Sequence, residues 1–322
     1  MGGGGALDGV AIVGATGTGK TALSLALAER LEAEILCCDS RQIYRGLDVA
    51  TGKPTRLEQS VAPHHLFDLL PPNERSSAGT YARHAAPVLA AVQGRGRLPI
   101  VVGGTGFYLE ALRFGLPEIP TIPDTVVQGL ETEWRERGGE ALRAELAAAD
   151  PRAAAKLPAG DRRRIVRALA VWRATRRPFS AWLAHHVGAT VSPRRRLLVF
   201  TIELPRRELH GRLDDRTRRF FEIGLLEEVQ TLLAAGCPPD APALSGLGYG
   251  EAVRAIRGEI DAASALERTQ RATRQYAKRQ DTWFRGRGAR GGVTVLAMSD
   301  HTIESAADWM TAHLRQVRGT LP

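Results

Sequence analysis

Lysine is nearly missing from this chain. Four residues, Lys20, Lys53, Lys156 and Lys278, stand among 44 Lys and Arg in a sequence of 322. Arginine carries the other positive charge, a bias that a GC-rich genome can produce, so the bias itself reports no function. Cysteine is scarce too. Cys37, Cys38 and Cys237 are odd in number and show no C-x-x-C spacing, which argues against a disulfide framework or a zinc site. A cytoplasmic protein is the simplest expectation. No run of about 18 uncharged apolar residues occurs. The opening MGGGGALDG lacks the charged and apolar regions of a signal peptide, and Ala6 breaks the myristoylation pattern that would begin at Gly2. What remains is a soluble globular protein with no membrane contact, long enough for two domains or for one with a large insertion.

The net charge of +9 is unevenly placed. From Pro151 to Arg196 twelve Lys or Arg stand against one acid, Asp161, so this segment is +11 and the remainder sums to −2. Such a stripe is either a footprint for a phosphate backbone or a solvated helical face.

Four apolar runs bounded by turn residues, Val10 to Val13, Ile35 to Cys38, Pro99 to Val102 and Leu197 to Ile202, predict strands. Helical patterns at Lys20 to Leu31 and Tyr81 to Gln93 alternate with them, which predicts an α/β fold with a parallel sheet flanked by helices. Between Leu116 and Pro193 the strand signal vanishes, and the Pro- and Gly-containing stretches PEIPTIPD and HHVGATVSP flank a helical text. The expected organisation is a flexible tail over 1–8, a core over 9–117 and 194–322, and a mostly helical insertion over 118–193 whose second half is the basic stripe. GGVTVLAMSD predicts a late short strand, and ESAADWMTAHLRQV a closing helix.

The chemistry sits at the expected strand ends, where ligands of such sheets bind. GATGTGKT, Gly14 to Thr21, joins the first strand to a helix. Its glycines let backbone N–H groups form an anion nest, Lys20 reaches the outer phosphates and the Thr21 hydroxyl can ligate Mg²⁺. The second strand ends in CCDSRQIYRG and brings Asp39 close to that loop, where a carboxylate can ligate metal through water or accept a proton; a turn or N-cap Asp is the plainer reading. An NTP hydrolase would usually end the third strand with a metal-holding Asp. Here Gly103, Gly104 and Thr105 follow, and the Thr105 hydroxyl can give one oriented hydrogen bond. In RATRQYAKRQDTWFR, Arg271, Arg274, Lys278 and Arg285 share one helical face, interleaved with Tyr276, Trp283 and Phe284, which can stack on bases or belong to the core. Arg216, in DDRTRR, can reach a diphosphate oxygen or make a surface ion pair.

Six motifs in order, GATGTGKT, DSRQIYRGLDVATGKP (Asp39 to Pro54), PHHLFD (Pro63 to Asp68), GGTGFY (Gly103 to Tyr108), GLGYGE and RATRQYAKRQDTWFR, resemble the tRNA dimethylallyltransferase family over about Val10 to Arg285. The resemblance implies a P-loop NTPase-like core and transfer of a dimethylallyl group from dimethylallyl diphosphate to the exocyclic amine of adenosine 37, in tRNAs reading codons that begin with U. It implies that Gly14, Ala15, Thr16, Gly17, Thr18, Gly19, Lys20 and Thr21 hold the donor's diphosphate rather than ATP, with Mg²⁺ on Thr21. Asp39 would accept the amine proton, Thr105 would hydrogen-bond near the leaving bridge and Arg216 would neutralise the diphosphate. The tRNA anticodon stem-loop would meet Asp39, Ser40, Arg41, Gln42 and Thr105, the stretch Arg163, Arg164, Ile165, Val166 and Arg167, and Arg274 and Lys278 in the last motif. A monomer of the bacterial form, without a C-terminal zinc finger, is expected.

The chain departs from the family pattern at Ala15, where Pro is frequent, at Gly52, where Ala is frequent, and at Val127, where an Arg that contacts tRNA is often found. Other classes remain open at this level. A small-molecule kinase would also use the loop and Asp39, but would give no reason for RQYAKRQDTWFR. A prenyltransferase acting on free AMP, ADP or ATP would need no +11 segment, and a non-catalytic RNA-binding module would need no intact phosphate loop.

Overall fold

The computed structural model describes residues 7–184, 195–288 and 293–319. Most of the expected tail and the HHVGATVSP stretch lie outside the described residues. The chain divides into two units, Met1–Gly115 with Pro193–Pro322, and Leu116–Ser192.

Six strands of the first unit, β1 (Gly9–Gly14), β2 (Ala33–Cys37), β3 (His64–His65), β4 (Leu98–Gly103), β5 (Leu197–Glu203) and β6 (Val293–Ala297), form one sheet in the order β3-β2-β4-β1-β5-β6. Every pairing is parallel, with Ile12 beside Val102 on one flank and Phe200 on the other. Strands covered on both faces must be apolar throughout rather than alternating, and β1 is buried along its whole length. The four runs expected as strands are all present. The two-residue β3 carries no periodic signal and was not expected; it adds the edge beside β2.

Helices α1 (Lys20–Leu31), α2 (Arg56–Val61), α3 (Ala78–Gly94) and α4 (Gly106–Phe114) come from the first segment. The second unit holds α5 (Asp124–Ala149), broken at Gly138, then α6 (Pro151–Ala154), α7 (Arg162–Thr175) and α8 (Phe179–Ala184). The returning chain adds α9 (Arg206–Glu222), α10 (Leu225–Ala234), α11 (Tyr249–Ile256), α12 (Ala262–Gly288) and α13 (Ile303–Gly319). α3 starts three residues earlier than its apolar pattern because Ser77 caps it, accepting from the Thr80 N–H. The sheet packs its inner face on Leu23 and Leu27 of α1 and on Ala307 and Met310 of α13.

The second unit has its own core, built on Leu130, Leu142 and Leu146 of α5 and Ile165, Val166 and Leu169 of α7. Arg173 bridges Glu133 and Glu145 at 2.5 and 2.6 Å and is joined on Glu133 by Arg137 at 2.8 Å. One arginine of the basic stripe is thus committed to holding α7 against α5. No described helix is long and apolar enough to cross a membrane.

Candidate active site

The phosphate loop leaves β1 at Gly14 and enters α1 at Lys20, with Gly17 and Gly19 at φ 82° and 92°, where a side chain would be strained. Gly19 supplies no side-chain cap, so the N–H groups of the first turn and the positive end of the helix dipole are left for an anion. Thr18 stabilises the bend by donating from Oγ1 to the Ala15 carbonyl at 2.9 Å. Lys20 Nζ donates to the same carbonyl at 2.6 Å. Burial lowers its pKa from 10.5 to about 8; the Asp39 carboxylate opposes that shift and the Arg216 guanidinium adds to it. Arg216 is also pushed down, chiefly by burial and against the pull of Asp39.

Two cations and one carboxylate therefore share a desolvated site, and the site is short of negative charge. Arg216 reaches the loop from α9, with NH1 donating to Thr16 Oγ1 at 3.3 Å. It passes over residue 52, where a Cβ would overlap the guanidinium. The glycine at position 52 leaves that path open.

Asp39 lies two residues beyond β2. Its Oδ1 accepts the Arg41 N–H at 2.8 Å, a turn bond that fixes the carboxylate's direction. Thr105, at the N-terminus of α4, accepts the Ser40 N–H on Oγ1 at 2.9 Å and bonds Ser40 Oγ at 3.3 Å. No acid stands at the end of β4, where Gly103 and Gly104 precede Thr105. Gln42 donates from Nε2 to the carbonyls of Thr51 at 3.1 Å and Gly52 at 2.9 Å, so its amide nitrogen is spent on the loop beneath Arg216. That loop is anchored from α10. Glu228 accepts the Asp48 and Val49 N–H groups at 3.0 Å and the Tyr249 hydroxyl at 2.7 Å, so DSRQIYRGLDVATGKP and GLGYGE meet at one carboxylate.

An open cavity of about 260 Å³ is lined by the polar Thr16, Asp39, Arg41 and Arg216 and by the apolar Ala50, Phe220 and Leu247 and the ring of Tyr249. Tyr276 and Arg279 of α12 complete it. Burial, together with the Asp39 carboxylate, raises the pKa of the Tyr276 phenol and holds it protonated. The cavity thus combines polar, anion-seeking groups with apolar surface, and the apolar lining was not foreseen because it comes from four separate segments.

Other expected site residues divide. Arg163, Arg164 and Arg167 are exposed on α7. Ile165 and Val166 are buried, at 0 and 3 % exposure, in the core of the second unit, so the expectation that they contact tRNA is corrected for their side chains. Val127 packs against the same core, which leaves no cation at that position. Lys278 is exposed, whereas Arg274 is half-buried in an ion pair with Asp214. Phe284 is core, stacked edge-on with Trp283. Among the described residues no group of three or more His, Cys, Asp or Glu is arranged to hold a metal.

The fold and this cavity define a P-loop α/β protein whose acidic group comes from the second strand instead of the strand that holds it in NTP hydrolases. Comparison narrows the class. The family model "IPP transferase" matches residues 42–287 and "Isopentenyl transferase" matches residues 8–62. The tRNA dimethylallyltransferase of Anaeromyxobacter dehalogenans (strain 2CP-C) is 45 % identical over 86 % of this chain and 91 % of its own. The tRNA dimethylallyltransferase 1 of Trichlorobacter lovleyi is 42 % identical over 92 % and 96 %. The crystal structure of a tRNA isopentenylpyrophosphate transferase from Bacillus halodurans superposes with a TM-score of 0.68 at 32 % identity, covering 96 % of this chain and 97 % of that one. A eukaryotic dimethylallyltransferase acting on tRNA shares the fold, with a TM-score of 0.83 at 24 % identity over 98 % and 81 %. The chain belongs to the IPP transferase family.

Proposed function

We propose that the protein transfers a dimethylallyl group from dimethylallyl diphosphate to the exocyclic amine of adenosine 37 in tRNAs that read codons beginning with U. The observation that carries this reading is the cavity itself. It is lined by Thr16 of the phosphate loop, by Arg216, by the Asp39 carboxylate that accepts a turn N–H, and by apolar side chains, and Lys20 is coupled electrostatically to both Asp39 and Arg216.

The exocyclic amine is a poor nucleophile because its lone pair is delocalised into the ring. As its nitrogen bonds to the first carbon of the dimethylallyl group, the carbon–oxygen bond to the diphosphate breaks and the electron pair leaves with the bridging oxygen. Asp39 takes the amine proton. Thr105 Oγ donates toward the bridging oxygen while Ser40 N–H holds it in place. Lys20, Arg216 and the loop N–H groups balance the charge that gathers on the diphosphate. The phosphate-facing donor set suits Mg²⁺ held mainly by diphosphate oxygens and waters, with the Thr21 hydroxyl as the chain's own ligand, since the described carboxylates form no cage of their own. Bound there, the ion would stabilise the leaving diphosphate as a Lewis acid.

Reaching the amine requires the base to leave its stack. Tyr276 and Arg41 line the cavity and offer a flipped base one aromatic face and one planar cation. The exposed Arg163, Arg164 and Arg167 meet backbone phosphates. The protein acts as a monomer, which its mass in solution with and without tRNA checks. The activity is tested with labelled dimethylallyl diphosphate, Mg²⁺ and unmodified tRNA carrying adenosines at positions 36 to 38. Label on AMP and none on tRNA would move the reading to a free-nucleotide prenyltransferase.

A further inference from the structure

Gln280 lies on α12 within RQYAKRQDTWFR, and the transfer step above does not use it. It is buried at 5 % exposure, and both ends of its amide are engaged. Oε1 accepts the backbone N–H of Thr16 at 2.9 Å, and Nε2 donates to the carbonyl of Gly104 at 2.8 Å. One partner is in the phosphate loop; the other is the residue before Thr105. A Cβ on Gly104 would overlap Gln280 Nε2. The second glycine of GGTGFY and a glutamine 176 residues away therefore fit as a pair.

We propose that Gln280 is a positioning residue for the transfer: one amide sets the spacing between the loop that carries the diphosphate and the turn that carries Thr105. This rests on the reaction proposed above. A glutamine is suited to the task because it accepts with one terminal atom and donates with the other, whereas a carboxylate only accepts and an ammonium only donates. Each of its partners is a backbone group that loses a full hydrogen bond if the amide is removed. Arg216 holds the same Thr16 through its hydroxyl at 3.3 Å, and Ser40 holds Thr105 at 2.9 Å. The groups assigned to leaving-group stabilisation and to proton removal are thus connected through these hydrogen bonds and the peptide links Gly104–Thr105 and Asp39–Ser40, and Gln280 is the central link. Bond formation and departure must occur in line, so a shift of about 1 Å between the two loops costs about 10²-fold in rate.

The test compares wild type, Gln280→Leu and Gln280→Glu in single-turnover transfer to unmodified tRNA, with tRNA affinity and thermal unfolding measured alongside. Gln280→Leu is expected to lower the single-turnover rate by about 10²-fold while tRNA affinity stays within a few-fold. Gln280→Glu keeps the acceptor for Thr16 but turns a carboxylate oxygen on the Gly104 carbonyl. Its rate relative to wild type at the same pH should recover as pH falls, because the protonated acid regains an O–H donor. A leucine variant with the wild-type rate would overturn the proposal, as would one whose tRNA affinity and thermal stability fall in step with rate. A Glu-to-wild-type ratio independent of pH would do the same. Failure of the wild type to label tRNA would instead overturn the reaction itself and is seen before any variant is compared.

Discussion

The Ser40 N–H donates to the Thr105 hydroxyl at 2.9 Å, which ties the segment following β2 to the turn following β4. Asp39 precedes one partner and Gly104 the other, so this bond links the proposed base to the proposed leaving-group donor. Thr105→Val, which keeps the shape and removes both roles of the hydroxyl, should lower turnover by about 10²-fold, the usual loss for one donor at a developing oxyanion. Thr105→Ser should retain activity within a few-fold. Wild-type turnover in Thr105→Val together with a loss in Thr105→Ser would show that the methyl packing matters and the hydroxyl does not.

Asp39→Ala should reduce turnover by about 10²-fold or more and leave tRNA affinity within a few-fold, as removal of a general base would. Filter binding and single-turnover rates on the same tRNA separate the two quantities. Matching losses in both would reassign Asp39 to holding the tRNA.

Lys20 gives the site a pH dependence. Burial lowers its ammonium to about 8, so in the free enzyme it is charged below that pH and neutral above. Affinity for dimethylallyl diphosphate is expected to fall as pH rises through about 8, and Lys20→Met should bind more weakly without that break. The sign for stability is the opposite: between about 8 and the ordinary value of 10.5 the unfolded chain holds the proton that the folded chain has released, so this group's contribution to folding rises with pH. Calorimetric titrations from pH 7 to pH 10 check the affinity and denaturant unfolding over the same range checks the stability; a flat wild-type affinity would show an ammonium that stays charged.

Charge reversal at Arg163 and Arg164 should weaken tRNA binding and reduce the slope of log affinity against log salt, by about one for each phosphate that is no longer neutralised. Arg164 already pairs with Asp161 at 2.6 Å, so Arg163 should carry the larger share. An unchanged slope would mark this face of α7 as merely solvated.

In the second unit, Arg173, and to a lesser degree Arg137, hold the Glu133 carboxyl down to about 2 from 4.5. That contribution is present above about pH 4.5 and is lost as pH falls toward 2. Arg173→Leu should therefore flatten the acid side of the stability profile measured by denaturant unfolding. A profile as steep as the wild type's would place the acid sensitivity elsewhere.

Several features were legible without coordinates, for identifiable physical reasons. Val10 to Val13 and Leu197 to Ile202 read as buried strands because a parallel sheet covered on both faces must be apolar throughout. GATGTGKT read as an anion loop because its glycines and lysine specify a local conformation. The side-chain burial of Ile165 and Val166 was also within reach: with Leu169 they follow helical spacing, and that apolar stripe identifies the inward face of α7.

The sequence by itself therefore determined what depends on neighbours along the chain: the apolar strands, the helices with a clear period, the phosphate loop and the acid that follows the second strand. Only the tertiary structure decided which distant groups meet. Gly52 beneath Arg216, Glu228 beneath Asp48 and Val49, and Gln280 between Thr16 and Gly104 are pairings of backbone with side chain. Such pairings leave no periodicity to read, because the backbone partner can be any residue and its position is fixed by packing.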